Sequence, residues 1–261
     1  MPEVTGSYPP GAPCWVDLMV PDQRAALDFY GTLFGWRGEI GPSEIGGYSV
    51  CTLNGGAVAG ILAPPPPDPE GSALPSVWTV YLATDDAEGA ERAITDAGGS
   101  ILMPVTDIVD LGRMVVALDP TGAVFGLWQA GEFSGAQVVE EPGAVVWHEL
   151  DTSDIVVASA FYRAALSVET TPMEGAEGYY SLNAGGRVVG GMGALESPGD
   201  PSHWLVYFAV DDPDATVDAL VRAGGTVLEP PYDMVAGRMA VVRDPQGAVF
   251  AVLRPNPMNP A

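Results

Sequence analysis

The sequence predicts an α+β chain of two tandem domains, each built from a pair of βαβββ units. Self-similarity is the leading observation. Trp15-Val16-Asp17-Leu18, with Phe29-Tyr30 behind it, returns as Trp147-His148-Glu149-Leu150 with Phe161-Tyr162. Trp78 to Asp86 returns as Trp204 to Asp212, and Gly112-Arg113-Met114 returns as Gly237-Arg238-Met239. Asp119-Pro120-Thr121-Gly122 returns as Asp244-Pro245-Gln246-Gly247. The offset is 132 residues at Trp15 and 125 at Asp119, so the copies differ only in loop length. Solenoid periods run at roughly 20–50 residues, so a repeat of this length is a duplicated domain. The second observation is order: within each copy a strand, a helix and further strands occur twice over. The third is size, since 261 residues at 47% hydrophobic and 17% charged suit two globular domains, placed at 12–130 and 143–255.

The elements follow in sequence. Trp15 to Val20 alternates as a strand should, and Asp22 caps a helix whose apolar face is Ala26, Phe29, Tyr30, Leu33 and Phe34. Gly35 ends that helix. Strands follow at 48–53 and 57–62 across the turn residues Asn54-Gly55-Gly56. The tract from Ala63 to Pro75, with four consecutive prolines, can be neither helix nor central strand and joins the two units. Val77 to Thr84 is a strand, and Asp85-Asp86 opens a helix that Gly98-Gly99 terminates. Strands at 101–104 and 113–118 precede the Asp119 turn and the closing strand at 124–128. The second copy repeats this, with helices opening near Asp154 and Asp212. Residues 130–143 link the domains, and residues 254–261 form a frayed tail.

Charge narrows the function. A net charge of −24 argues against nucleic acid and anionic membrane as partners. All ten basic residues are Arg, so no lysine is available for a Schiff base or a phosphate loop. Cys14 and Cys51 form no CxxC pair and read as free thiols in a reducing, cytoplasmic setting. The N-terminal residues lack the basic start and apolar run of a signal peptide, and no segment has 18 consecutive apolar residues. The expected partner is a small-molecule ligand, and the expected state a monomer or homodimer.

Four βαβββ units in two pairs, the Phe-Tyr of each first helix and the Asp-Pro-x-Gly turn resemble the vicinal oxygen chelate superfamily of glyoxalase I, bleomycin-resistance proteins and extradiol dioxygenases. The Trp-x-Asp/Glu-Leu strand and the Gly-Arg-Met segment are most similar to its two-domain, glyoxalase-like actinobacterial members, often labelled hydroxylases. The resemblance implies that each pair of units forms a cupped sheet around a cavity. It implies that metal-dependent members place His, Gln or Glu at four strand positions. Those positions hold Trp15, Gly60, Thr79 and Gly126 in the first domain, and Trp147, Gly191, Leu205 and Ala251 in the second. None is a good ligand for a divalent transition metal, so no metal and no other cofactor is expected.

By alternation from those positions, Trp15, Asp17 and Met19 face the first cavity, and Trp147, Glu149 and Asp151 the second. Thr79, Tyr81 and Trp128 join the first set and His203 and Tyr207 the second, while the glycines leave room for a flat guest. The candidate catalytic residues are Asp17 and Glu149 as proton-transfer groups, Tyr81 and Tyr207 as donors to an oxygen, and His203 at the rim. Trp15, Trp147, Thr79, Trp128, Arg113 and Arg238 are the candidate substrate-binding residues. Against this, the aromatics read equally as core residues, and Asp17 and Glu149 as partners of Arg113 and Arg238 in structural ion pairs. Two functions lead: a metal-independent enzyme, lyase or hydroxylase-like, acting on a carbonyl-containing or aromatic molecule, or a bleomycin-resistance-like binder of an aromatic or cationic one. Glyoxalase I activity itself comes third, since the resemblance implies that it requires the missing ligands. His203, where the first domain has Val77, marks the second domain as the working copy.

Overall fold

The structure is a computed structural model that describes residues 6–65, 74–197 and 199–256. Its order is β1 (Pro13–Met19), α1 (Gln23–Phe34), β2 (Ser49–Leu53), β3 (Gly56–Leu62), β4 (Val77–Ala83), α2 (Ala87–Asp96), β5 (Ser100–Ile108), β6 (Gly112–Leu118) and β7 (Val124–Ala130). The second copy follows with β8 (Val145–Thr152), α3 (Ile155–Leu166), β9 (Glu169–Pro172), β10 (Tyr180–Ala184), β11 (Arg187–Ala194), β12 (His203–Ala209), α4 (Pro213–Arg222), β13 (Thr226–Met234), β14 (Gly237–Arg243) and β15 (Val249–Pro255). Part of the proline tract and residues 257–261 of the expected tail lie outside the described residues. Arg254 and Pro255 belong to β15 rather than to a frayed end, because they pair with β14.

Each helix opens on the aspartate the sequence offers. Asp22, Asp86, Asp154 and Asp212 accept hydrogen bonds from the first-turn backbone N–H groups, which have no partner inside the helix. Gly35 ends α1 at φ 75°, the left-handed conformation that glycine adopts without a steric penalty. Among the described residues no helix is long and apolar enough to cross a membrane.

The strands form two sheets, one per copy. The first runs β2-β3-β1-β4-β7-β6-β5 and the second β13-β14-β15-β12-β8-β11-β10-β9. At the centre of each, the two leading strands pair antiparallel, with Trp15 opposite Tyr81 and Trp147 opposite Tyr207. Parallel partners flank them, placing Gly60 beside Asp17, Gly126 beside Tyr81 and Gly191 beside Glu149. The first unit departs from βαβββ: where the second copy has β9, the first has only an isolated bridge between Arg37 and Thr52. Pro42 in that stretch has no N–H to donate to a ladder.

Alternation sorts the side chains. Val16, Leu18 and Val20 enter a core shared with all four helices and with both sheets. Aromatic contacts cross between copies there, with Phe34 and Phe208 at 5.0 Å and Tyr30 and Phe250 at 5.8 Å. The Asp-Pro-x-Gly turns contribute more than a bend. Asp119 caps its own turn through Thr121 and Ala123 N–H and accepts from Tyr162 OH of the other copy at 3.2 Å. Asp244 does the same for its turn and accepts from Tyr30 OH at 3.0 Å. The opposite faces of the two sheets form the cups.

Candidate functional site

In the first cup the floor is a hydrogen-bonded run. Trp15 Nε1 donates to Tyr48 OH at 2.7 Å, and Tyr48 OH donates to Asp17 Oδ2 at 3.2 Å. Asp17 is 5% exposed, and burial pushes its pKa up to about 7, with the Tyr81 and Tyr48 hydroxyls pulling the other way. The room expected above the glycines is already filled: a Cβ on Gly60 would collide with the Tyr48 hydroxyl, and one on Gly126 with the Tyr81 ring. The guest over these glycines is the protein's own tyrosine.

The interdomain linker then closes this cup. Ala136 N donates to Cys14 O at 2.8 Å, and Gln137 exchanges two hydrogen bonds with the Ala57 backbone. Phe133 sets its ring edge-on to Trp15 at 4.8 Å, and its carbonyl accepts from Trp128 Nε1 at 2.7 Å. Tyr8 OH donates to Ala136 O at 2.8 Å. Trp15, Asp17 and Tyr81 are buried as a result, with Thr79 half-buried beside them. Burial also pushes up the thiol pKa of Cys14 and Cys51, which leaves both as poor nucleophiles.

The second cup repeats the run and stays open. Trp147 Nε1 donates to Tyr179 OH at 3.0 Å, Tyr179 OH donates to Glu149 Oε2 at 2.6 Å, and Tyr207 OH donates to the same oxygen at 3.2 Å. Trp147, Glu149, Asp151 and Tyr179 are only half-buried. The apolar cluster on this face, with Leu205, Tyr207, Met239, Ala251 and Leu253, is drawn entirely from its own sheet. Asp151, two residues beyond Glu149, has its pKa raised, first by burial and then by Glu149, Glu196 and Glu229. His203 Nε2 stands 3.5 Å from Asp151 Oδ2. His148, on the other face of β8, is pushed down to about 3 by burial, which keeps it neutral.

Two expectations are corrected. Arg113 and Arg238 do not pair with Asp17 and Glu149. Arg113 binds Glu88 and Asp107, and Arg238 forks onto Asp214 with Asp233 nearby. The following residues, Met114 and Met239, face the cups, so alternation sends the arginines to the helix side. The free space above the glycines is the second correction. Its cause, Tyr48 and Tyr179, was missed because both lie just before a strand rather than on a central one. A signal was present, since Gly47-Tyr48-Ser49 and Gly178-Tyr179-Tyr180-Ser181 also occur in both copies.

Comparison with known proteins agrees with this geometry. The family model described as Glyoxalase/Bleomycin resistance protein/Dioxygenase superfamily matches residues 14–127, and a glyoxalase-like domain model matches 147–253. The chain belongs to the glyoxalase/bleomycin resistance protein/dioxygenase superfamily. It is 48% identical over 255 residues to the "Putative glyoxylase CFP32" of Mycobacterium tuberculosis, covering 96% of this chain and 97% of that one. It is 38% identical to the "Anthracycline biosynthesis protein DauV" of Streptomyces sp. (strain C5), covering 97% of each. Among solved structures, the Mn(II)-bound glyoxalase of Novosphingobium aromaticivorans superposes with a TM-score of 0.66 at 16% identity, over 94% of this chain and 82% of that one. The likeness to that structure is one of fold.

A metal is implied by such superfamily relatives, and the donor set decides whether one fits. The four positions hold Trp15, Gly60, Thr79 and Gly126 in one copy and Trp147, Gly191, Leu205 and Ala251 in the other. Tyrosine side chains lie over three of these, and among the described residues no group of three or more His, Cys, Asp or Glu is placed to hold an ion. These residues do not fit a divalent metal.

Proposed function

We propose that this superfamily member is a metal-independent enzyme whose second cup takes a carbonyl-bearing, polycyclic aromatic molecule and moves a proton on it. The observation that carries the reading is the Trp147–Tyr179–Glu149–Tyr207 run, preassembled by hydrogen bonds, with Trp147, Tyr179 and Glu149 half-exposed above a buried Tyr207. The indole face of Trp147 stacks the ring system. Glu149 accepts or returns the proton, and a tyrosine hydroxyl turned from Glu149 to the substrate oxygen stabilises charge developing there. The names of the relatives support the class: one is a putative glyoxylase, the other belongs to the making of an anthracycline.

A binding protein is the second reading, favoured by the carboxylates of Glu149, Asp151, Glu196 and Glu229, which gather at one cup. One experiment separates the two. Incubation with the enolisable aromatic ketone 2-tetralone in D₂O is followed by NMR for deuterium entering next to the carbonyl. The enzyme reading expects catalysed exchange that Glu149→Gln slows by about 10²–10⁴-fold while binding persists. Binding without exchange by the wild type supports the binder.

A further inference from the structure

The second cup carries an acid and a histidine that the first replaces with Met19 and Val77, and their arrangement has a direction. Glu149 and Asp151 project from the same face of β8, and His203 sits directly opposite Asp151 on β12. His203 Nδ1 lies 3.1 Å from the Pro201 carbonyl oxygen. That oxygen can only accept, so Nδ1 carries a proton, and in the neutral ring the lone pair of Nε2 faces Asp151 Oδ2. The imidazole is 47% exposed, while the Asp151 side chain is 20% exposed. A file of proton-carrying groups thus runs from the Tyr179–Glu149–Tyr207 cluster through Asp151 to bulk water.

We propose that Asp151 and His203 are the proton outlet of the second cup, relaying to solvent the proton that Glu149 takes from the substrate. The inference rests on the proton-transfer reading above. As the substrate C–H or O–H bond breaks, its electron pair stays on the substrate and the proton goes to a Glu149 carboxylate oxygen. The Glu149 proton moves to Asp151 as the Asp151 proton moves to His203 Nε2, and the imidazolium releases a proton to water. One proton leaves the substrate and one enters solvent; reprotonation of product runs the file backwards. No oxidant or co-reactant is required.

The surroundings favour a proton resident on Asp151. The groups that face it are Glu149 on its own strand, His203 and Tyr207 on β12, Tyr179 before β10, Glu196 after β11, and Glu229 on β13. Burial and the like charge of these carboxylates both resist ionisation of Asp151. In the first cup Asp17 has no such neighbour on its strand, since Met19 and Val77 cannot pass a proton.

The test uses the whole chain and two readouts. With ¹³C-carboxyl-labelled Asp and Glu, NMR titration of the wild type is expected to show two Asp carboxyls, Asp17 and Asp151, titrating above the ordinary carboxylate range. Asp151→Asn should remove one of these signals and leave the other, and Glu149→Gln should move the Asp151 signal. With 2-tetralone, His203→Gln is expected to slow deuterium exchange by roughly 10²-fold in dilute buffer, and concentrated imidazole should restore it, which a merely structural role would not produce. If Asp151→Asn removes neither high signal, if Glu149→Gln leaves the Asp151 signal unmoved, or if imidazole fails to rescue His203→Gln, the relay is wrong. If the wild type does not exchange 2-tetralone, the proton-transfer reading fails instead, and the NMR arm alone decides whether Glu149 and Asp151 are coupled.

Discussion

The two cups share a floor and differ in their cover. Trp15 and Trp147, Tyr48 and Tyr179, Asp17 and Glu149, Tyr81 and Tyr207 occupy matching places with matching hydrogen bonds. In the first copy Phe133, Ala136 and Tyr8 pack over that floor and bury Trp15 and Asp17, whereas in the second Trp147 and Glu149 are half-exposed and ringed with acids; the tyrosines are alike in both. One set of side chains therefore does two jobs. Covered, it is core; uncovered, it is equipment. The lesson is that a duplicated constellation says where chemistry is available, and the loops around it decide where it is reachable.

Substituting the tryptophans breaks the comparison most sharply. Trp15→Ala removes a buried ring and is expected to cost about 3–5 kcal/mol of stability by urea unfolding, whereas the half-exposed Trp147→Ala should cost far less. For binding the order reverses: fluorescence titration with the polycyclic quinone alizarin should lose about tenfold in affinity with Trp147→Ala, the weight of one aromatic contact. An equal effect on stability from both variants would end the distinction between covered and open cups.

Asp17 offers the next largest effect. Its pKa rises from 3.8 unfolded to about 7 folded, so between those values the folded state holds the extra proton and stability falls as pH rises. The loss is complete above pH 7 and amounts to at most ~4 kcal/mol. Asp17→Asn, which cannot ionise, should flatten the unfolding midpoint between pH 4 and 7 and gain on the wild type at pH 8. A parallel pH dependence in the two proteins would show that Asp17 is solvated.

The linker can be lifted. Gly135 has φ 116°, and a Cβ there would meet the Cys14 carbonyl that accepts from Ala136. Gly135→Ala is expected to cost about 1–3 kcal/mol and to raise acrylamide quenching of tryptophan fluorescence as Phe133 leaves Trp15. Unchanged quenching would mean that the cover does not depend on this backbone.

The smallest effect concerns the shared core. Trp204 Nε1 donates to Tyr162 OH at 3.0 Å, while its counterpart Trp78 Nε1 is buried beside Tyr30 in a looser arrangement that falls short of that bond. Trp204→Phe should therefore cost up to about 1 kcal/mol more than Trp78→Phe, which gives up the weaker contact. Equal midpoints on thermal unfolding would contradict the asymmetry.

Much of this is legible in the sequence. The aspartate caps, the Phe-Tyr pairs and the strand alternation are local signals, and local geometry obeyed them. The floor was half legible: parity on β1 and β8 pointed Trp15, Asp17, Trp147 and Glu149 to one face. Tyr48 and Tyr179 escaped because they reach the floor from the ends of loops, where no periodicity constrains a side chain. Arg113 and Arg238 misled because their recurrence suggested a partner among other recurrent residues, while the acids that hold them, Glu88 and Asp214, sit on the helices. The cover itself could not be read, since nothing local records which cup a linker folds over.

The Tyr30–Asp244 and Tyr162–Asp119 bonds reach beyond packing. They make the contact between the halves isologous, the arrangement of a twofold dimer written into one chain. Each half completes a turn of the other, so the copy whose cup is covered is not idle baggage. It serves as the obligate scaffold on which the open copy keeps its shape, and deleting it would take both cups away.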